Sequence, residues 1–147
     1  MASCKKDNPQ PQYSQPTQTG ANKFFCLVNG ERFEAKGGLF LPAVLNQYWE
    51  NGGKTLAVTG RVTDGNHVQK SLNIWIDSVD AVGVYPIRYN AFVVSNIVEC
   101  EQYVDSTTIG SVNITTYNYD KRIISGTFNL NCPSYTITNG WFDIQWF

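Results

Sequence analysis

By residue type, the side chains best suited to chemistry in this chain are one histidine, a few neighbouring carboxylates and four cysteines. His67 follows the turn-forming run Asp64-Gly65-Asn66 and reads as an exposed loop residue. A lone imidazole needs both a nucleophile and an orienting acid before it can act as a catalytic base. No Gly-x-Ser-x-Gly elbow accompanies it. Asp77 with Asp80, Glu99 with Glu101, and Asp105 offer the groups of a glycosidase-like acid/base pair, but spacing along a chain does not set separation in space. Turn chemistry and strand-edge solubility account for each of them more simply. There is no Cys-x-x-Cys and no EF-hand loop, so no metal site is expected. The sequence thus leads us to expect no catalytic residue, no metal and no cofactor.

The cysteines divide by context. Met1-Ala2-Ser3-Cys4 resembles the end of a bacterial lipobox, where two small residues precede the cysteine that takes the lipid. Cys26, Cys100 and Cys132 remain. Three thiols in an oxidising compartment suggest one disulfide and one leftover, with three pairings possible. Cys100 and Cys132 stand near strand ends beside turns, whereas Cys26 lies inside Phe24-Phe25-Cys26-Leu27-Val28 and reads as a small buried hydrophobe. We expect the Cys100–Cys132 pairing.

Aromatic side chains are the better lead to function. Trp75 and Trp141 occupy strand positions opposite in parity to their apolar neighbours, and Tyr48-Trp49 falls in an irregular-looking segment. An outward Trp either is covered by a loop or offers a stacking surface for a sugar ring or a partner protein. Covering is the commoner outcome in a small sandwich. Trp75, Trp141, Tyr48 and Trp49 are the candidate ligand contacts. Ser78 in Asp77-Ser78-Val79 and Ser106 in Asp105-Ser106-Thr107 resemble the O-glycosylation acceptor pattern of Bacteroidota.

The elements that position these residues read as strands. Aromatics make up 14% of the 147 residues and charged residues only 16%, and the apolar residues are mainly Val, Ile, Phe, Tyr and Trp, which favours sheet. A formal charge of -1 with no basic run beyond Lys5-Lys6 excludes phosphate-driven nucleic-acid binding. No apolar run approaches the ~20 residues of a membrane helix. Residues 1–21 form a lipobox remnant and a Pro/Gln/Ser/Thr-rich tether that buries too little surface to offset its ordering entropy.

Residues 22–147 form one domain. Asn29-Gly30 marks a first hairpin, Gly37-Gly38 a break, and Leu39 to Trp49 either a short helix starting at Pro42 or a loop packed on a sheet edge. In the next hairpin Leu72, Ile74 and Ile76 point inward, with Asn73, Trp75 and Asp77 outward. Pro86 confines Gly83–Pro86 to an edge or a crossing segment. Ser111–Tyr117 and Ile123–Leu130 pair about the Tyr119–Arg122 turn, and the closing strand turns or bulges at Gly140. This predicts an all-β domain, an antiparallel sandwich or small barrel-like sandwich of about eight to ten strands.

Taken together, Gln18-Thr19-Gly20-Ala21-Asn22, Phe25-Cys26-Leu27-Val28-Asn29-Gly30, Gly83-Val84-Tyr85-Pro86, Gly110–Thr115, Ile124–Phe128 and Ile137–Ile144 resemble, in order, small lipoproteins of unknown function from Bacteroidota. The resemblance implies an outer-membrane lipoprotein of a bacterial cell envelope, facing the periplasm or the surface. The expected function is a lipid-anchored, non-catalytic module that binds a small molecule, glycan or protein. A structural or assembly subunit of an envelope complex is the alternative, and a carboxylate-dependent hydrolase stands third.

Overall fold

A computed structural model describes residues 15–38, 42–50, 53–103 and 109–146. Eleven strands run as β1 (Lys23–Val28), β2 (Glu31–Glu34), β3 (Val44–Trp49), β4 (Thr55–Asp64), β5 (His67–Ile76), β6 (Gly83–Pro86), β7 (Tyr89–Val94), β8 (Ile97–Tyr103), β9 (Gly110–Asn118), β10 (Ile123–Cys132) and β11 (Tyr135–Gln145). They form two antiparallel sheets, β2-β1-β11-β10-β9-β6 and β3-β4-β5-β7-β8. The molecule is a β-sandwich.

Alternation builds the core between the sheets. Leu56 and Val58 on β4 and Leu72, Ile74 and Ile76 on β5 are buried in one cluster with Phe24, Ile114, Phe128 and Phe142 of the other sheet. Their odd-numbered neighbours in β5, among them Asn73 and Trp75, point to the outer face, as the periodicity predicts. The sheets approach most tightly where one of them carries glycine. A Cβ on Gly60 would stand 2.3 Å from the Phe24 ring, so the aromatic of β1 occupies the space that a side chain on β4 would need. Asn29 and Gly30, with φ of 49° and 80°, form the hairpin turn of the Asn-Gly signal.

Two sequence expectations change. No helix follows Pro42: Val44–Trp49 is an edge strand, and all six residues pair with β4 from Gly60 back to Thr55. Ladder bonds along the whole segment win over a helical pattern that only Val44, Leu45 and Tyr48 supported. The apolar run from Ala91 to Val98 is folded back at Ser95 and Asn96, whose φ values of 49° and 65° make the turn between β7 and β8. Added to β3 and the short β6, this gives eleven strands instead of eight to ten. Gly83–Pro86 is both of the things expected of it: it crosses from the five-stranded sheet and forms an edge of the other.

Cys100 of β8 and Cys132 of β10 are disulfide-bonded, with Cα atoms 6.0 Å apart, which staples an edge of one sheet to the other. Closing a loop of 32 residues stabilises the fold by roughly 3–4 kcal/mol through the unfolded chain. Cys26 is free and buried, and burial pushes its thiol up to about 12. It packs as a small hydrophobe.

Candidate functional site

The outer faces of the two sheets differ in what covers them. On the six-stranded sheet, Lys23, Asp143 and Ser125 lie in one cross-strand row, and Phe25, Trp141 and Thr127 in the next. Asp143 would be an exposed carboxylate on a bare sheet. Instead it is fully buried, because the segment before β1 lies over it. Its Oδ1 accepts from the Gly20 amide at 2.8 Å and from Ser125 Oγ at 2.7 Å. Its Oδ2 accepts from Thr17 Oγ1 at 2.7 Å and from the amides of Thr19 and Ala21 at 3.0 and 3.1 Å. Burial opposes ionisation, but the bonds from Ser125, Thr17, Ala21 and Thr19 outweigh it and hold the carboxyl down at about 2. The tether expected to run free to Ala21 is therefore docked from Thr17 onward. It docks chiefly through polar bonds to Asp143, which is why a composition poor in aliphatic residues suffices. Cys4 lies outside the described residues.

This strap also decides the fate of Trp141. The indole points outward, as parity requires, yet it is only 4% exposed and packs with Phe25 and Leu27 in a small cluster of its own. Gln15 and Pro16 line the same recess as Phe25 and Trp141. Trp141 is thus a covered residue and not an open ligand contact. Tyr48 is half-buried and lines a separate recess together with Trp49 and Trp146. Its hydroxyl donates to the Val79 carbonyl at 2.6 Å and lies 3.2 Å from that of Tyr117. The ring meets Trp146 edge-on at 5.2 Å, so it helps to close one end of the sandwich.

The outer face of the five-stranded sheet is different. In register, Gln47, Ala57, Trp75, Tyr89 and Tyr103 form one row across all five strands, and Trp49 stands diagonally beside it on β3. Trp49 and Trp75 are two strands apart, a backbone separation of roughly 9–10 Å. Their ring centroids are nevertheless only 6.0 Å apart, since the residue between them, Ala57, carries only a methyl group. The next steps, Trp75 to Tyr89 and Tyr89 to Tyr103, are 5.1 and 4.8 Å. The result is a strip of four aromatic rings. Trp75 is 39% and Tyr103 65% exposed, while Trp49 and Tyr89 are partly buried.

Polar groups border the strip on both sides. On one side Asn73 Oδ1 accepts from Trp75 Nε1 at 3.0 Å and fixes the indole, and Glu101 Oε1 accepts from both Tyr89 and Tyr103 at 3.0 Å. Burial, followed by the bond to Glu101, pushes the Tyr89 phenol up to about 12. The Glu101 bond also raises Tyr103. Both phenols therefore stay protonated and keep lone pairs to accept from a ligand. On the other side Asp77 accepts from Thr55 Oγ1 at 2.8 Å and pairs with Arg88. A recess of about 570 Å³ runs here, lined by Thr55, Trp75, Asp77, Arg88, Tyr89 and Tyr103 among others.

The remaining candidates sort by geometry. Ser78 is exposed and lines the recess, with φ of 59°. Ser106 and Asp105 lie outside the described residues. Asp77 and Asp80 serve separate partners: the first pairs with Arg88 and the second with Lys54 Nζ at 3.8 Å. Glu99 accepts from Tyr135 at 3.1 Å, whereas Glu101 holds Tyr89 and Tyr103, so those two carboxylates also serve separate partners. His67 is exposed at the β4–β5 turn. Sequence reasoning missed Tyr89, Tyr103 and Arg88. Tyr89 shares parity with Ala91, and beginning that strand two residues earlier would have found it. No protein-family model matches the chain, and neither does any curated protein or solved structure.

Proposed function

We propose that this protein is a non-catalytic binding module of the bacterial envelope, held to a membrane by lipid on Cys4, and that its ligand lies on the outer face of the β3-β4-β5-β7-β8 sheet. The observation that carries this reading is the strip Trp49–Trp75–Tyr89–Tyr103, whose rings are packed against one another in a fixed order while two of them stay open to solvent. The two outer faces make the case by contrast. Where the strap covers Trp141, the aromatic surface is hidden; where the strip runs, large rings and polar groups with spare bonding capacity are left on the surface, which is the composition of a recognition site.

Thr17–Ala21 dock on the six-stranded sheet, and the strip is on the opposite layer. The docked end of the tether therefore leaves the proposed ligand face clear.

The test is a nuclear magnetic resonance screen of the full chain against a fragment set of sugars, short peptides and aromatic acids. Fragments should shift the Trp75 indole and the Tyr89 and Tyr103 amides together. Hits that gather elsewhere and leave these signals in place would defeat the reading.

A further inference from the structure

We infer that the occupant of this strip is an uncharged saccharide chain laid across the strands from Trp49 towards Tyr103. The inference rests on the reading that the strip is the ligand face.

Three features narrow the chemistry. The first is ring geometry. Successive rings are tilted by 63°, 57° and 46°, so the surface is corrugated and no single plane exists for a flat aromatic ligand to cover. A chain of pyranose rings suits such a surface. Each sugar presents patches of weakly positive C–H to the negative face of an aromatic ring, and successive units repeat on a scale close to the spacing of the rings.

The second feature is the bordering groups. Asn73 keeps its amide donors, Glu101 has a second carboxylate oxygen, Arg88 has further N–H groups, and the two phenols can accept. Sugar hydroxyls donate and accept alike and can use this mixture on either side of the strip. A peptide would find less. β5 and β7 are interior strands whose backbone groups are engaged with neighbours on both sides, so the face offers no ladder bonds of the kind that strand addition at a sheet edge provides.

The third is charge. Arg88 is paired with Asp77, Glu101 has no cationic partner among the described residues, and Arg61 stands further out on the same face, so the groups bordering the strip carry no surplus of positive charge. An anionic polymer such as a uronate chain, a sulfated glycan or a nucleic acid would find no cationic surface beside the rings. A neutral glycan needs none.

Affinity electrophoresis of the full chain in native gels containing starch, a soluble β-glucan, mannan, xylan or polygalacturonate tests this directly. At least one of the four neutral polysaccharides should retard the protein. Trp75→Ala and Tyr103→Ala should each weaken that retardation by about tenfold or more, with melting temperature and near-ultraviolet circular dichroism preserved. If Trp75→Ala does not fold, Tyr103→Ala and Glu101→Gln carry the test, since Tyr103 sits largely exposed on an edge strand. Retardation by none of the neutral polysaccharides, by polygalacturonate alone, or equally in every folded variant would overturn the inference. If no neutral polysaccharide binds but a proline-rich peptide shifts the Trp75 indole signal, the saccharide assignment falls while the ligand face stands. If nothing tested moves that signal, both fall.

Discussion

Gly20 donates its backbone N–H to Asp143 Oδ1 at 2.8 Å across a sequence separation of 123 residues. That bond, with those from Thr17, Thr19 and Ala21, converts the end of a polar linker into part of the sandwich. Asp143→Asn should release it. An amide can accept on one oxygen only and would turn its own N–H₂ towards the donors of the strap, leaving buried groups unmatched at about 1–3 kcal/mol. The expected result is a loss of that order in denaturant-induced unfolding, together with increased acrylamide quenching of Trp141, which Gln15 and Pro16 otherwise help to cover.

The same carboxylate sets an acid limit. Its folded-state pKa of about 2 lies below the ordinary 3.8, so the native state favours the ionised form. A depressed carboxylate contributes stability that is complete above the unfolded value and is lost as pH falls through the folded one. Between about pH 5 and pH 2 the wild-type chain should therefore lose roughly 2 kcal/mol more than Asp143→Asn. Urea titrations of both proteins across that range measure the difference.

The Cys100–Cys132 bond has a role at the strip as well as in the core. It pins β8, the edge strand that carries Glu101 and Tyr103, to β10 of the opposite sheet. Replacing both cysteines with serine should cost about 2–5 kcal/mol in denaturant unfolding. In native-state hydrogen exchange the added opening should be concentrated in β8 and not in β4 or β5.

The tethered reading makes a prediction about mass. Protein isolated from its native membranes should carry a diacyl or triacyl addition that peptide mapping assigns to Cys4. Alkylation before and after reduction should show one disulfide and one free thiol in the remainder. Four free thiols and no acyl mass would remove the lipoprotein reading.

Much of the fold was legible because period-two patterning needs only local information. The inward set Leu72, Ile74 and Ile76 and the outward set Asn73, Trp75 and Asp77 follow from side-chain parity alone. The edge position of Gly83–Pro86 follows from the missing N–H of Pro86. The site was only half legible. Trp75 and Trp49 were identifiable one at a time, but that they meet depends on Ala57 between them and on β3 being a strand. Tyr103 reaches Tyr89 only because the chain reverses at Ser95-Asn96, a turn without the glycine or proline that usually marks one. The burial of Trp141 was out of reach for a different reason. Parity assigns a side chain to a face, but it does not show that a linker more than a hundred residues away is bonded across that face by Asp143.

The central claim is that the outer face carrying Trp49 and Trp75 binds ligand, whereas Trp141 on the opposite face is covered by the strap. The four tryptophans provide a reporter for each part of the molecule: Trp49 and Trp75 on the strip, Trp141 under the strap and Trp146 at the closed end. We would record the four indole N–H resonances of the full chain while titrating oligosaccharides cut from a retarding neutral polysaccharide. The account predicts saturable shifts of Trp75 and Trp49 with Trp141 and Trp146 unchanged. Shifts at Trp141, or none at Trp75 up to saturating sugar, would contradict it.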